Sequence, residues 1–117
     1  MNDPGSLIVF STVDSPEAAR RLADGVVNAG LAACVNILPG VTSVFRWEAD
    51  SGDPAQAGVQ AESEVMLLIK TSSAAYPALE RHVRAAHPYE LPELVAVPLT
   101  QGLPAFLQWI EGSTASS

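Results

Sequence analysis

The chain of 117 residues has a single cysteine, two histidines, six lysines and arginines, and no uninterrupted apolar run longer than five residues. Each shortage excludes something. One thiol, Cys34, cannot close an internal disulfide. Six basic side chains against thirteen acidic ones leave a formal charge of -7, which repels phosphate backbones, so nucleic acid is not the expected partner. No stretch reaches the roughly 18 apolar residues of a membrane-crossing helix, so no membrane partner is expected. The start, MNDPGSLIVF, lacks the basic residues and long apolar segment of a signal peptide. A cytoplasmic location is the expectation. The calcium-loop pattern, a phosphate-binding glycine loop and a nucleophile motif are also missing.

What is present is apolar for so small a globule. Hydrophobic residues make up 48%, and the mean hydropathy is +0.21. A small domain has much surface for its volume, so some of this apolar material should be covered by a partner. The length predicts one domain over 1–117, folding without a disulfide or metal, with a core of about 6–112 and tails at 1–5 and 113–117.

Leu7 to Val13 reads as a strand that stops at Asp14-Ser15-Pro16-Glu17, where a capping side chain, a helix-initiating proline and a first-turn acid coincide. Ala19, Leu22, Ala23, Val26 and Val27 then recur at helical spacing, and Gly30 is placed to end the helix in the left-handed conformation. Leu31 to Leu38 and Val41 to Glu48 read as extended, with a bend or bulge at Pro39-Gly40. Residues 49–63 have no period and predict a loose tip. Glu64 to Lys70 is the clearest strand. Ser72 or Ser73 is expected to cap a second helix, which His87-Pro88 ends because a residue before proline resists helical geometry. Leu94 to Leu99 is the last strand, with Pro98 marking an edge or a bulge. Leu103 to Ile110 is a short helix in which Trp109 is expected to anchor in the core.

The order βαββαβ plus a terminal helix predicts an α+β, ferredoxin-like sandwich with an extended hairpin between the second and third strands. In Val65-Met66-Leu67-Leu68-Ile69 both alternating faces are apolar, whereas a sheet wetted on one side alternates. Leaving Met66 and Leu68 in water would forgo roughly 1.5–3 kcal/mol each, so self-association is expected.

The candidate site is HPYELPE, 87–93. His87 at a helix end with Tyr89, Glu90 and Glu93 could offer imidazole and carboxylate oxygen to a cation. The opposing possibilities are a helix-end histidine beside solvated carboxylates, and a pocket for a small ligand without metal. Pairing of the strands as expected would let Lys70, Arg46 with Trp47, and Tyr89 converge; the alternative is that Arg46 and Lys70 make ion pairs and Trp47 packs at a subunit contact, where aromatic residues are enriched. His82 lies five residues before His87, about 140 degrees around a helix, and is expected on the surface. Cys34 is expected to pack as a small hydrophobe. The acids Glu48, Asp50, Asp53, Glu62 and Glu64 are expected to form a solvated acidic loop.

The stretches ACVNILPGVTSVFRWE, EVMLLIKTSS, HPYELPELVAVPLTQG and FLQWI resemble, in order and spacing, the signature segments of the CutA family of divalent-cation tolerance proteins. The resemblance implies a homotrimer whose hairpin strands pair across subunits, which would place Trp47, Met66 and Leu68 at the interface. It implies a role in tolerance of divalent cations, copper above all, and an architecture like that of PII signalling proteins. Members with proposed copper ligands carry a cysteine where this chain has Ser11, and a second histidine where it has Ala86. Losing a soft thiolate and an imidazole removes the groups that favour copper.

The functional expectation is a non-enzymatic trimer for divalent-cation (copper) tolerance or response, binding a cation or small effector near subunit interfaces. A divalent metal, copper or another, would sit weakly at His87 and Glu90, with Lys70, Tyr89, Glu93 and Arg46 lining a ligand pocket. A PII-like signalling or scaffold trimer is the alternative, and an enzyme using His87 as general base is a third reading without supporting motif.

Overall fold

The computed structural model describes residues 5–47 and 58–114. Strand β1 (Ser6–Val13) is followed by helix α1 (Pro16–Asn28), strands β2 (Cys34–Trp47) and β3 (Gly58–Ser72), helix α2 (Tyr76–Ala86), strand β4 (Val95–Pro98) and helix α3 (Pro104–Ser113). This is the expected βαββαβ order with a terminal helix. All strand pairs are antiparallel, and the sheet order is β2-β3-β1-β4, with the proline-ended β4 at an edge.

Local chemistry sets the ends of α1 as expected. The Ser15 hydroxyl oxygen accepts from the Ala18 amide at 3.1 Å, proline opens the first turn, and Glu17 faces the positive end of the helix dipole. Beyond the last turn Gly30 adopts φ 73°, which a side chain would resist. The buried stripe Ala19, Leu22, Ala23 and Val26 packs with Leu79 and Val83 of α2 onto Val9, Val13, Val65, Leu67 and Ile69 of the sheet. The core therefore lies between the helices and one sheet face.

The opposite face has no helices. Cross-strand register places Ile8 and Phe10 of β1, Met66 and Leu68 of β3, and Val95 and Val97 of β4 there together. The first four are half-buried and the valines are exposed.

Three departures from the sequence reading have physical causes. Gly58 to Ser63, expected as part of a loose tip, is strand, because pairing with residues 42–47 supplies backbone hydrogen bonds that no hydropathy pattern reports. Residues 48–57, including Glu48, Asp50 and Asp53, lie outside the described residues. Helix α2 begins at Tyr76, after β3 has continued to Ser72 opposite Ser6. The Ser72 hydroxyl oxygen instead accepts from the Ala75 amide, shaping the turn before the helix. Trp109 is 46% exposed, whereas Ile110 is fully buried. Helix α3 docks through Ile110 and Thr114, one turn apart; the Thr114 hydroxyl lies 2.8 Å from Ser72 Oγ and 2.7 Å from the Ile110 carbonyl. That register rotates Trp109 outward against Phe106.

Candidate functional site

Pro39 and Gly40 interrupt the β2–β3 ladder: Leu38 pairs with Met66 and Val41 with Glu64, so two residues of β2 face one of β3. This is a β-bulge, with Gly40 at φ 78°. Beyond it, residues 41–47 and 58–63 continue as a two-stranded arm whose Val44 and Val59 are 67% and 68% exposed. The loop from His87 to Leu94 faces this arm. Between them lies an open cleft lined by Ser43, Phe45, Arg46, Glu62 and Glu64 on the arm side, and by Tyr89, Glu90, Leu91, Pro92 and Glu93 on the loop side, with Thr12 at the end of β1.

His87 sits below the cleft, 7% exposed. Its Nε2 is 2.8 Å from the Thr12 carbonyl, and a carbonyl can only accept, so Nε2 carries the proton. Its Nδ1 accepts the Tyr89 amide at 3.0 Å. The ring is therefore a neutral clamp that ties the helix end, β1 and the loop together, and a metal ion at either nitrogen would have to displace one of these bonds. Among the described residues, no group of three or more His, Cys, Asp or Glu side chains gathers closely enough to hold a metal ion.

Tyr89 makes the second tie. Its hydroxyl donates to Glu64 Oε2 at 2.5 Å, and its ring is tilted against the imidazole with centroids 4.8 Å apart. Burial, the hydrogen bond to Glu64 and the negative charges of Glu64, Asp14 and Glu62 hold the hydroxyl protonated well above the usual tyrosine range. It remains a donor at every physiological pH. Glu64, expected in a solvated acidic loop, is 9% exposed; it lies on β3 paired with Val41, just past the bulge, where the Tyr89 hydroxyl binds it.

Of the residues singled out in the sequence, Arg46, Tyr89, Glu90 and Glu93 line one cleft. His87 fixes the loop from beneath. Lys70 does not join them; it donates to Asn36 Oδ1 on the helix-free sheet face, the expected convergence failing because strand twist and register carry it away from the cleft. Met66 and Leu68 share that helix-free face, and Trp47 ends the described part of β2. Cys34 opens β2 opposite Lys70 and is half-buried, so it packs on the rim of the sheet and not in the core. His82 is half-buried, its ring lying over Gly25, where the absence of a side chain lets it approach α1.

Sequence reasoning missed Thr12, Ser43, Phe45, Glu62, Leu91 and Pro92 as cleft residues, and Glu64 as the tyrosine's partner. A usable signal existed for two of them. Glu62, Glu64, Met66 and Leu68 are spaced by two and so share one strand face.

The chain is similar to proteins of known family and fold. The family model for the CutA1 divalent ion tolerance protein matches residues 7–113. The Divalent-cation tolerance protein CutA of Thermus thermophilus is 42% identical over 107 residues, 92% of this chain and 96% of that protein. Protein CutA, chloroplastic, of Arabidopsis thaliana is 42% identical over 93% of this chain, which spans only 56% of that longer protein. The solved structure of CutA1 from Oryza sativa superposes with a TM-score of 0.86 at 40% identity, covering 98% of both chains. The PII-like protein CutA from Nostoc sp. PCC 7120 superposes with a TM-score of 0.80 at 30% identity, covering 95% of this chain and 99% of that one. With a family match over nearly its whole length and the fold to accompany it, the chain belongs to the CutA1 divalent ion tolerance family.

Proposed function

We propose that this protein is a non-enzymatic homotrimer acting in divalent-cation tolerance or response, copper included, and that it does so by binding a cation or small effector in the cleft between arm and loop. The observation that carries the reading is the cleft itself. It sets the carboxylates Glu62, Glu64, Glu90 and Glu93 around the aromatic rings of Phe45 and Tyr89, with Arg46 as the one cation among its lining residues. Glu90 and Glu93 are exposed and available to a ligand. His87 serves this site by holding the loop, and a metal bound weakly at His87 and Glu90 would require the clamp to open.

The trimer is supported by the helix-free sheet face, where Ile8, Phe10, Met66, Leu68, Val95 and Val97 form one apolar surface. Burying such side chains gains roughly 1.5–3 kcal/mol each. Relatives named for divalent-cation tolerance support the biological role. Weak copper preference is supported by Ser11, fully buried on the helix-facing side of β1, and by the exposed Ala86. A PII-like role, with a small molecule as signal, is supported by the name of the Nostoc relative and by the pairing of Arg46 with carboxylates, which suits a ligand carrying both charges.

The test is a thermal-shift screen of the full chain with copper, zinc, magnesium and manganese salts and with nucleotides and amino acids. A ligand that raises Tm in the parent and not in a Glu90→Gln, Glu93→Gln double variant supports the cleft reading. A shift that survives the double variant, or no shift with any ligand, counts against it.

A further inference from the structure

Lys70 is the chain's one lysine. Strand register sets it in the row Cys34, Lys70, Ile8 and Val97 across the helix-free face, beside the row Asn36, Leu68, Phe10 and Val95. A half-buried lysine therefore stands in a largely apolar surface, and its described partner is the neutral Asn36 Oδ1, which takes one of its three protons. Glu64 lies six residues back along β3 on the same face, with Glu62 beyond it. Glu64 is 9% exposed, and its described partner, the Tyr89 hydroxyl, is neutral as well. Among the described residues the ion pair is Arg20 with Asp24, so neither Lys70 nor Glu64 meets an opposite charge there. Six residues of strand hold the two about 20 Å apart, too far to pair within one chain.

We propose that the Lys70 ammonium of one copy enters the cleft of the next and pairs there with the cleft's carboxylates, Glu64 first among them, so that the cleft is a site between subunits and is incomplete in a single chain. The inference rests on the reading of the helix-free face as the self-association surface, and it names the residue that a neighbour lends to the cleft. Covering this face withdraws Lys70 and Glu64 from water together. Left without opposite charges they would oppose association; supplied to each other by two copies, they support it and fix its register. Charge also runs one way along β3, from the cation at Lys70 to the acids at Glu64 and Glu62. Like ends repel, so copies join head to tail, and a head-to-tail contact repeated by rotation closes as a ring. The cleft then holds two cations among its four carboxylates, Arg46 of its own chain and Lys70 of the next copy, and a bound ligand is gripped by both subunits. The convergence of Lys70, Arg46 and Tyr89 expected from the sequence is met between copies instead of within one.

A water-soluble carbodiimide applied to the full chain tests this, because it condenses a primary amine with a carboxylate in contact, and Lys70 and the amino terminus are the chain's primary amines. Covalent dimers and trimers are expected in which peptide mapping finds Lys70 joined to Glu64 or to another of the cleft carboxylates Glu62, Glu90 and Glu93. In Lys70→Arg, which keeps the charge and removes the amine, those products should be lost while light scattering still shows three times 12.2 kDa. A trimer by light scattering in which Lys70 is joined to no carboxylate, to one outside the cleft, or only within single chains overturns the inference and leaves the trimer standing. A monomer at micromolar concentration overturns both.

Discussion

The two faces of the sheet share strands and differ in fate. On β3, Val65, Leu67 and Ile69 point to α1 and α2 and are buried, Leu67 and Ile69 completely; Met66 and Leu68, between them, point the other way and stay half-buried. The residues are equally apolar. What distinguishes them is whether the chain itself supplies a cover. The contrast teaches that hydropathy predicts a demand for burial and leaves open who meets it, which is why the helix-facing side reads as core and the other side as an apolar face that the described residues of this chain do not cover.

The comparison breaks most sharply at Leu67. Truncation to alanine should cost about 2–5 kcal/mol in denaturant unfolding, since it empties a fully enclosed site. Leu68→Asp should act on the other face instead: light scattering is expected to show loss of the proposed trimer near three times 12.2 kDa, with helical circular dichroism largely kept. Equal loss of fold in both variants would erase the distinction between the faces. His87→Ala, which leaves the Thr12 carbonyl and the Tyr89 amide without their partner, should cost about 1–3 kcal/mol and loosen the loop.

Smaller effects sharpen the picture. Tyr89 has a folded-state pKa raised above its unfolded value of 10.0, so its contribution is fully present below pH 10 and is lost as pH rises further, when the unfolded chain releases the phenolic proton first. Tyr76, raised by burial and Glu80, titrates in the same sense. Melting curves from pH 9 upward should fall less steeply for Tyr89→Phe than for the parent, and an unchanged slope would mean the phenol is not held by Glu64. The smallest expected change is at Ser11, whose buried hydroxyl oxygen has no hydrogen-bond partner among the described residues. Ser11→Ala should raise stability by up to about 1 kcal/mol, read as a higher Tm, because it removes a desolvated polar group without altering shape. The helix-facing side thus contains one site where the sequence is not optimal for packing.

Much of the fold was legible because its signals are local. Ser15 and Pro16 mark the start of α1 and Gly30 follows its end, each signal lying within two residues of the helix terminus it marks, and the two-faced pattern of β3 exposes its need for a second cover without any knowledge of topology. The candidate site was legible in its loop half and, on the arm side, at Arg46 alone. His87, Tyr89, Glu90 and Glu93 announce themselves by proximity in the chain, but their counterparts Glu64 and Phe45 come from strands 20 or more residues away, and only register brings them near. The same dependence misplaced Lys70, which pairing delivers to Asn36.

The sequence by itself determined the order of elements, the ends of α1, the bulge at Pro39-Gly40 and the membership of a family, because caps, turns and alternation act over a few residues and are written where they act. The tertiary structure decided that His87 is a clamp with both nitrogens in use, that Glu64 is buried beneath a tyrosine, and that Ile110 and not Trp109 enters the core. Those outcomes depend on distances between residues far apart in the chain, set by strand register and helix docking, and no local pattern encodes them.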